Sequence, residues 1–196
     1  MIGYRRTRRA LVTAGSLLLA VASLGNAQKA KSKGGSFRVT SPDLESKGRI
    51  AMTHVFNGMN CTGQNISPTL QWSNAPAGTK SFAVTAYDPD APTGSGWWHW
   101  VVYNIPATTT SLQAGAGNSN GRSLPSGAAQ GNTDFGSRGY GGPCPPPGKP
   151  HHYHFTVFAL KVDKLDVPNN ATAAYIGFNL NANKLATARV TGLYGR

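Results

Sequence analysis

The chain has 196 residues, of which 19 are Lys or Arg and 7 are Asp or Glu, giving a formal net charge of +12 at pH 7. These charges form no basic run or Arg-rich helix that could follow a phosphate backbone, which argues against a nucleic-acid partner, whereas the positive field favours a small anion or a lipid surface. With 24 glycines, 13 prolines and 13% charged residues, the composition argues against a helical bundle and indicates strands joined by tight turns.

The first 27 residues have the pattern of a secretory signal peptide. A cationic start with four arginines at residues 5–9 precedes an apolar run at residues 10–24, and Gly25-Asn26-Ala27 places small residues at the −3 and −1 positions. The apolar run is shorter than the ~20 residues that a membrane span needs. We therefore predict cleavage after Ala27 and a periplasmic or secreted mature chain with no transmembrane segment, exported by either the general or the twin-arginine route.

Residues 28–35 are rich in Gly, Ser and Lys and have almost nothing to bury, so they predict a flexible basic linker. Residues 36–196 then form a single domain, because a chain of roughly 160 residues can bury a substantial core and no internal repeat divides it.

Three apolar runs, at residues 82–87, 98–105 and 153–162, predict strands. Both faces of these runs are largely apolar, so the strands should be central in a sheet. Near the end of the chain, Asn170 or Thr172 can cap a short helix that continues to about Asn181, and residues 187–194 predict a last strand. The predicted fold class is mainly β, a β-sandwich with a helix at its margin.

Two-residue periodicity assigns the polar residues of these strands to faces. Trp98 and Trp100 alternate with His99, so we expect both tryptophans on the opposite face, packed in the core. By the same rule, His152 lies on the face opposite Tyr153.

Cys61 and Cys144 are the two cysteines of the chain, and export would send them to an oxidising compartment. Each lies in a Gly- or Pro-rich segment that a core cannot fix by itself, so a disulfide is the default expectation. A free thiol nucleophile and a metal pair remain as alternatives, although two cysteines without Cys-x-x-Cys spacing lack the ligands of a structural zinc site.

The segment at residues 88–106 combines two aspartates, one histidine and three tryptophans, a density typical of a functional site. We assign Asp88 to a pocket and interpret Asp90 as the cap of a turn stiffened by neighbouring prolines. A zinc site using His99, His151 and an aspartate has no supporting ligand spacing, so no metal or cofactor is predicted.

Enzyme activity has little support in the sequence. Ser95 and Ser126 do not lie in a Gly-x-Ser-x-Gly elbow, which a hydrolase of that type would need. Asp88 and Asp90 lie two residues apart, but this spacing alone does not establish the paired carboxyl groups of a glycosidase. A weak hydrolase is the third and least supported hypothesis.

Three separated motifs give the chain a resemblance to a known family. Asp88-Pro-Asp-Ala-Pro, Gly96-Trp-Trp-His-Trp, and Tyr140-Gly-Gly-Pro-Cys-Pro-Pro-Pro-Gly followed by His151-His-Tyr occur in the order found in the phosphatidylethanolamine-binding protein family, also called the Raf kinase inhibitor protein family. With Asn65-Ile-Ser-Pro-Thr-Leu-Gln-Trp before them, the similarity extends from about Ser36 to the end. The chain resembles the bacterial branch and its exported members.

The resemblance implies an antiparallel β-sandwich with a short C-terminal helix, a final strand, and a small pocket for phosphate-like anions or phospholipid head groups. Cys144 stands where the animal proteins have a pocket-lining glycine, so a bonded Cys144 would fix that loop and could reshape the pocket. The positions that match the family's pocket, or lie in its loop, are Asp88, Pro92, Trp97, His99, Gly142, Cys144, Pro145, His151 and Tyr153.

Together these features predict an exported, non-enzymatic binding protein. Imidazole and phenol groups can donate hydrogen bonds to phosphate oxygens, and an aspartate that holds a histidine in its charged form would make anion binding stronger below neutral pH. Since the family also includes inhibitors of kinases and of serine carboxypeptidases, the alternative is an inhibitor of an envelope or host protease or kinase, acting through the loops that surround the pocket.

Overall fold

The computed structural model describes residues 1–3, 35–44 and 48–196. The described residues leave out residues 4–27 of the predicted signal peptide and residues 28–34 of the predicted linker. The described residues from Gly35 onwards form one compact unit. Its elements are β1 (Arg38–Thr40), β2 (Asn57–Gly58), β3 (Cys61–Thr62), β4 (Leu70–Ser73), β5 (Ser81–Asp88), β6 (Trp97–Pro106), β7 (Ser111–Leu112), β8 (Ala129–Gln130), β9 (His151–Leu160), α1 (Ala173–Asn183) and β10 (Lys184–Tyr194), with a 3-10 helix at Met52–His54.

The strands form two main sheets. One has five strands in the order β10-β9-β5-β6-β8, and the other has three in the order β1-β4-β7, while β2 and β3 make a separate hairpin. All the strand pairs are antiparallel. A buried apolar cluster lies between the two main sheets and includes Leu70 and Trp72 from one sheet and Val84 and Phe155 from the other. The predicted β-sandwich is confirmed.

The helix covers the outer face of the five-stranded sheet. Ile176 and Leu180 of α1 are fully buried in a second apolar cluster with Val101 and Phe158 of the sheet. Thr172 is the N-cap, because its side-chain oxygen accepts a hydrogen bond from the Tyr175 N–H at 3.2 Å. Thr172 was one of the two predicted caps.

The chain passes directly from α1 into β10, which starts at Lys184, earlier than the predicted start at residue 187. Among the described residues, no helix is long and apolar enough to span a membrane.

The strand register corrects one prediction about β6. Ala86 of β5 pairs with Trp100 of β6, whereas the next residue, Tyr87, pairs with Trp98, so the register shifts at this point. This irregularity breaks the two-residue alternation. Trp100 therefore lies in the cluster between the sheets, whereas Trp98 packs against the cluster under α1. The prediction that both tryptophans share one face was wrong.

Candidate functional site

A cavity of about 240 Å³ lies where three neighbouring strands of the large sheet end. Since β5 is antiparallel to both β6 and β9, its last residue, Asp88, lies beside the first residues of those strands. The loop after Tyr140 and the β2–β3 hairpin complete the walls. The lining residues are Met59, Asp88, Ala91, Pro92, Thr93, Trp97, His99, Phe135, Cys144, Pro145, Pro146, His151 and Tyr153.

Asp88 organises the polar end of the cavity and is 3% exposed. Its Oδ1 accepts hydrogen bonds from the N–H groups of Asp90 (2.8 Å) and Ala91 (3.1 Å), which makes a tight turn after β5. Its Oδ2 lies 2.8 Å from Nδ1 of His151, and because a carboxylate accepts, the imidazole donates through Nδ1. The second histidine nitrogen, Nε2, takes no part in this contact.

The turn-capping role predicted for Asp90 belongs to Asp88. Asp90 Oδ2 instead accepts hydrogen bonds from the main-chain N–H and from Nδ1 of His152, both at 2.7 Å. These hydrogen bonds hold the pKa of Asp90 below its usual value. The two adjacent histidines of β9 are thus each paired with a carboxylate of the Asp-Pro-Asp motif, but only His151 lines the cavity.

His99 enters the cavity from β6 and is buried. Its Nδ1 lies 2.6 Å from the carbonyl oxygen of Gly141, while the Gly141 N–H donates to the His99 carbonyl at 2.9 Å. The ring packs edge-on against Phe135 and Tyr153, with centroid distances of 5.4 and 5.1 Å. Burial lowers the pKa of His99 to about 4, so its imidazole is neutral at neutral pH.

Tyr153 brings a hydroxyl to the same place. Tyr153 is 1% exposed, and its buried hydroxyl oxygen has no partner of ordinary hydrogen-bond geometry among the described residues, although the Asp88 carboxylate lies nearby. Burial, together with the nearby Asp88 carboxylate, raises the pKa of Tyr153 far above its ordinary value, so the O–H remains protonated. A buried polar group without a partner is costly, so this O–H is a candidate donor to a molecule in the cavity.

Two covalently joined segments contribute to the walls. The predicted disulfide is present, joining Cys61 in β3 to Cys144 in the Pro-rich loop. Cys144 and Met59, which lies in the turn before Cys61, both line the cavity. Arg196 connects the same segments, since Nε donates to the Pro145 carbonyl (2.6 Å) and a terminal nitrogen donates to the Asn60 carbonyl (3.2 Å).

Gly142 is the one predicted site residue that does not line the cavity. A Cβ at this position would collide with the carbonyl oxygen of His54, so the glycine allows the loop to pack behind the wall. The loop is held by Asn65, whose side chain donates to the Tyr140 carbonyl (3.1 Å) and accepts from the Gly142 N–H (2.7 Å). Gly142 therefore supports the wall instead of contacting a ligand.

All the other predicted pocket residues meet at this cavity. Sequence reasoning missed Met59 and Phe135, the two largest additional wall residues. Met59 could have been found, because it lies two residues before a cysteine that was expected to bond to the pocket loop. Phe135 comes from a Gly-rich segment that carries no comparable signal. In the part of the chain that the structure describes, no group of three or more His, Cys, Asp or Glu side chains could hold a metal ion.

Comparison with known proteins agrees with this fold. The family described as Phosphatidylethanolamine-binding protein matches residues 40–195. Escherichia coli YbcL is 57% identical over 160 residues, covering 81% of this chain and 87% of its own length. Its crystal structure, described as a new member of the mammalian family, superposes with a TM-score of 0.80 at 56% identity, covering 83% of this chain and 99% of that chain.

More distant relatives preserve the similarity. Chlamydia trachomatis CT736, described as a homologue of the family, has a TM-score of 0.68 at 29% identity and covers 82% of this chain and 98% of its own. A Mycobacterium tuberculosis relative, LppC, named as a candidate lipoprotein, is 35% identical over 136 residues, covering 69% of this chain and 63% of its own length. The chain belongs to the phosphatidylethanolamine-binding protein family.

Proposed function

We propose that this chain is an exported, non-enzymatic binding protein whose cavity holds a phosphate-like anion or the phosphorylated head group of a lipid. The observation that carries the proposal is the buried Tyr153 hydroxyl, which has no partner among the described residues and lies in the wall of a cavity with two histidines. A phosphate oxygen would satisfy this donor. The apolar walls around it would exclude water and strengthen each hydrogen bond.

The sequence of the first 27 residues supports export, as does the candidate lipoprotein among the relatives. A protein that works in an oxidising compartment would also retain the Cys61–Cys144 bond. Native mass spectrometry of the protein recovered from the cell envelope or the medium tests this step. We expect a chain that starts at Gln28 and has a mass two hydrogens below the fully reduced form.

Titration calorimetry with inorganic phosphate and phosphoethanolamine tests the pocket. Tyr153→Phe removes only the hydroxyl, and we expect a loss of about tenfold or more in affinity, because a hydrogen bond to a charged group contributes roughly 1.5–3 kcal/mol. His99→Ala should weaken binding as well. Tyr103→Phe is the matched control, since Tyr103 is a buried tyrosine of the cluster under α1, outside the cavity.

Equal affinities of wild type, Tyr153→Phe and Tyr103→Phe for phosphate would refute the assignment of the tyrosine. If the protein recovered in native form bound neither phosphate nor phosphoethanolamine, the anion-binding function itself would be wrong.

The exposed rim of the cavity supports a second candidate, inhibition of an envelope or host protease or kinase. Met59 is 60% exposed and projects from a hairpin fixed by the disulfide and by Arg196, as a docking surface would require. Co-purification with an envelope or host protein that is lost on changing residues 143–147, but retained in His99→Ala, would favour inhibition over ligand binding.

A further inference from the structure

The hydrogen-bond arrangement of His99 determines which ring nitrogen carries the proton. A carbonyl oxygen can only accept, so the 2.6 Å contact with Gly141 requires a proton on Nδ1. The groups that face this ring are the carboxylates of Asp88 and Asp134, which favour the charged form, and the neutral Tyr153. Burial outweighs both carboxylates and keeps the ring neutral. Nε2 is consequently a lone-pair acceptor.

Besides His99, the polar end of the cavity offers a ligand a second hydrogen-bond acceptor and few hydrogen-bond donors. The Asp88 carboxylate accepts, and His151 already uses Nδ1 to donate to it. Tyr153 offers one O–H. Among the described residues, those that line the cavity include no Lys or Arg. With His151 neutral, its Nε2 is a further acceptor, and an oxyanion without any proton would therefore place its oxygens against the lone pairs of His99, His151 and Asp88, with the Tyr153 O–H to compensate.

We infer that the pocket selects a protonated oxyanion, a hydrogen phosphate or a phosphate monoester that retains one P–OH, with His99 Nε2 accepting that hydrogen and the Tyr153 O–H donating to an ionised oxygen. The inference rests on the proposed function and narrows its ligand class. Sulfate has the same shape but no proton near neutral pH, so it is rejected. A phosphodiester, as in an intact phospholipid, has no P–OH and binds less well than a monoester.

The test compares inorganic phosphate, sulfate, phosphoethanolamine and glycerophosphoethanolamine by titration calorimetry at pH 6. We expect phosphate to bind at least about tenfold more tightly than sulfate, because a buried acceptor left unsatisfied costs about 1–3 kcal/mol. The monoester phosphoethanolamine should bind more tightly than the diester glycerophosphoethanolamine. This comparison distinguishes a free phosphate compound from the head group of an intact lipid as the ligand.

The variant His99→Asn tests whether His99 is the group that distinguishes phosphate from sulfate. The Asn side-chain amide can still donate to the Gly141 carbonyl, but it removes the acceptor at Nε2, so the ratio of phosphate to sulfate affinity should fall towards one. His154→Asn is the matched control, because His154 contacts Thr191 on β10 and does not line the cavity. It should keep the wild-type ratio.

Wild-type protein alone gives an independent readout. Phosphate affinity should decrease as the pH rises through the second ionisation of the ligand. Monofluorophosphate, which ionises at lower pH, should lose affinity at correspondingly lower pH. If the two profiles coincide, protonation of the protein controls binding and the inference is wrong.

Equal binding of phosphate and sulfate to wild type would also overturn the inference, while leaving the anion-binding function intact. Failure of all the ligands to bind would overturn both.

Discussion

Met59 is a residue whose backbone conformation opposes stability. It occupies the left-handed region with φ 53°, next to Asn60 at φ 63°, in the two-residue turn between the paired residues Gly58 and Cys61. This turn type prefers Asn and Gly, because most other residues are strained in the left-handed conformation. A bulky residue retained there, over the cavity, is typical of a position kept for contact with a ligand or partner.

We therefore expect Met59→Gly to raise the free energy of unfolding by about 1 kcal/mol, because the strain disappears and the mostly exposed Met59 side chain has little packing to lose. Urea denaturation measures this change. Asn60→Gly is the control and should have a smaller effect, since Asn tolerates the left-handed region. A destabilised Met59→Gly protein would show that packing of the side chain outweighs the strain.

His99 makes stability depend on pH. Its pKa is about 4 in the folded protein and close to 6.5 when unfolded, so between these values the unfolded chain binds more protons. The free energy of unfolding should thus fall as the pH decreases from about 6.5 to 4, by on the order of 3 kcal/mol.

Denaturation of wild type and His99→Asn at a series of pH values measures this contribution, and the variant should show a shallower decline. Burial, with a further effect of Arg189, also lowers the pKa of His154, so His154→Asn should reduce the slope in the same direction but less, because that ring is more exposed. If the free energies of unfolding of wild type and His99→Asn changed in parallel with pH, the lowered pKa of His99 would be contradicted.

Among the elements, the pocket loop depends most on a covalent bond. The Cys61–Cys144 disulfide closes a loop with a sequence separation of 83 residues. By the chain-entropy estimate, replacing both cysteines with alanine should lower the free energy of unfolding by about 4 kcal/mol.

Chemical denaturation with and without a reducing agent checks this expectation. Reduction should destabilise wild type towards the level of the double variant and leave the variant unchanged. If the double variant were as stable as the oxidised protein, other contacts, such as those of Arg196, would be sufficient to hold the loop.

The elements also show where sequence reasoning works. Apolar runs identified β5, β6 and β9 because strands buried on both faces need apolar residues throughout. The irregular pairing opposite Ala86 and Tyr87 was not predictable, because it depends on how β6 aligns with its neighbour and leaves no pattern in the chain itself. Its effect is local but important, since it places His99 and Trp100 in consecutive positions on the inner side of the sheet.

At the scale of the molecule, the motifs that carry the family resemblance lie at strand ends which the antiparallel topology brings together. The family resemblance was enough to assign Asp88, His99, His151 and Tyr153 to one pocket, and the structure brings them together. Their individual roles could not, because the exchange of turn-capping between Asp88 and Asp90 depends on the position of β9. The contribution of Phe135 likewise depends on a loop path that tertiary packing decides.

The bond between the two cavity walls links redox chemistry to ligand binding. A ligand that binds better to the arrangement fixed by the disulfide stabilises the oxidised protein, and thermodynamic reciprocity requires oxidation to strengthen ligand binding by the same factor. A chain that has not yet formed the Cys61–Cys144 bond would accordingly bind phosphate compounds more weakly than the mature protein. For the exported protein that we propose, oxidation would then raise the affinity of the cavity for its ligand.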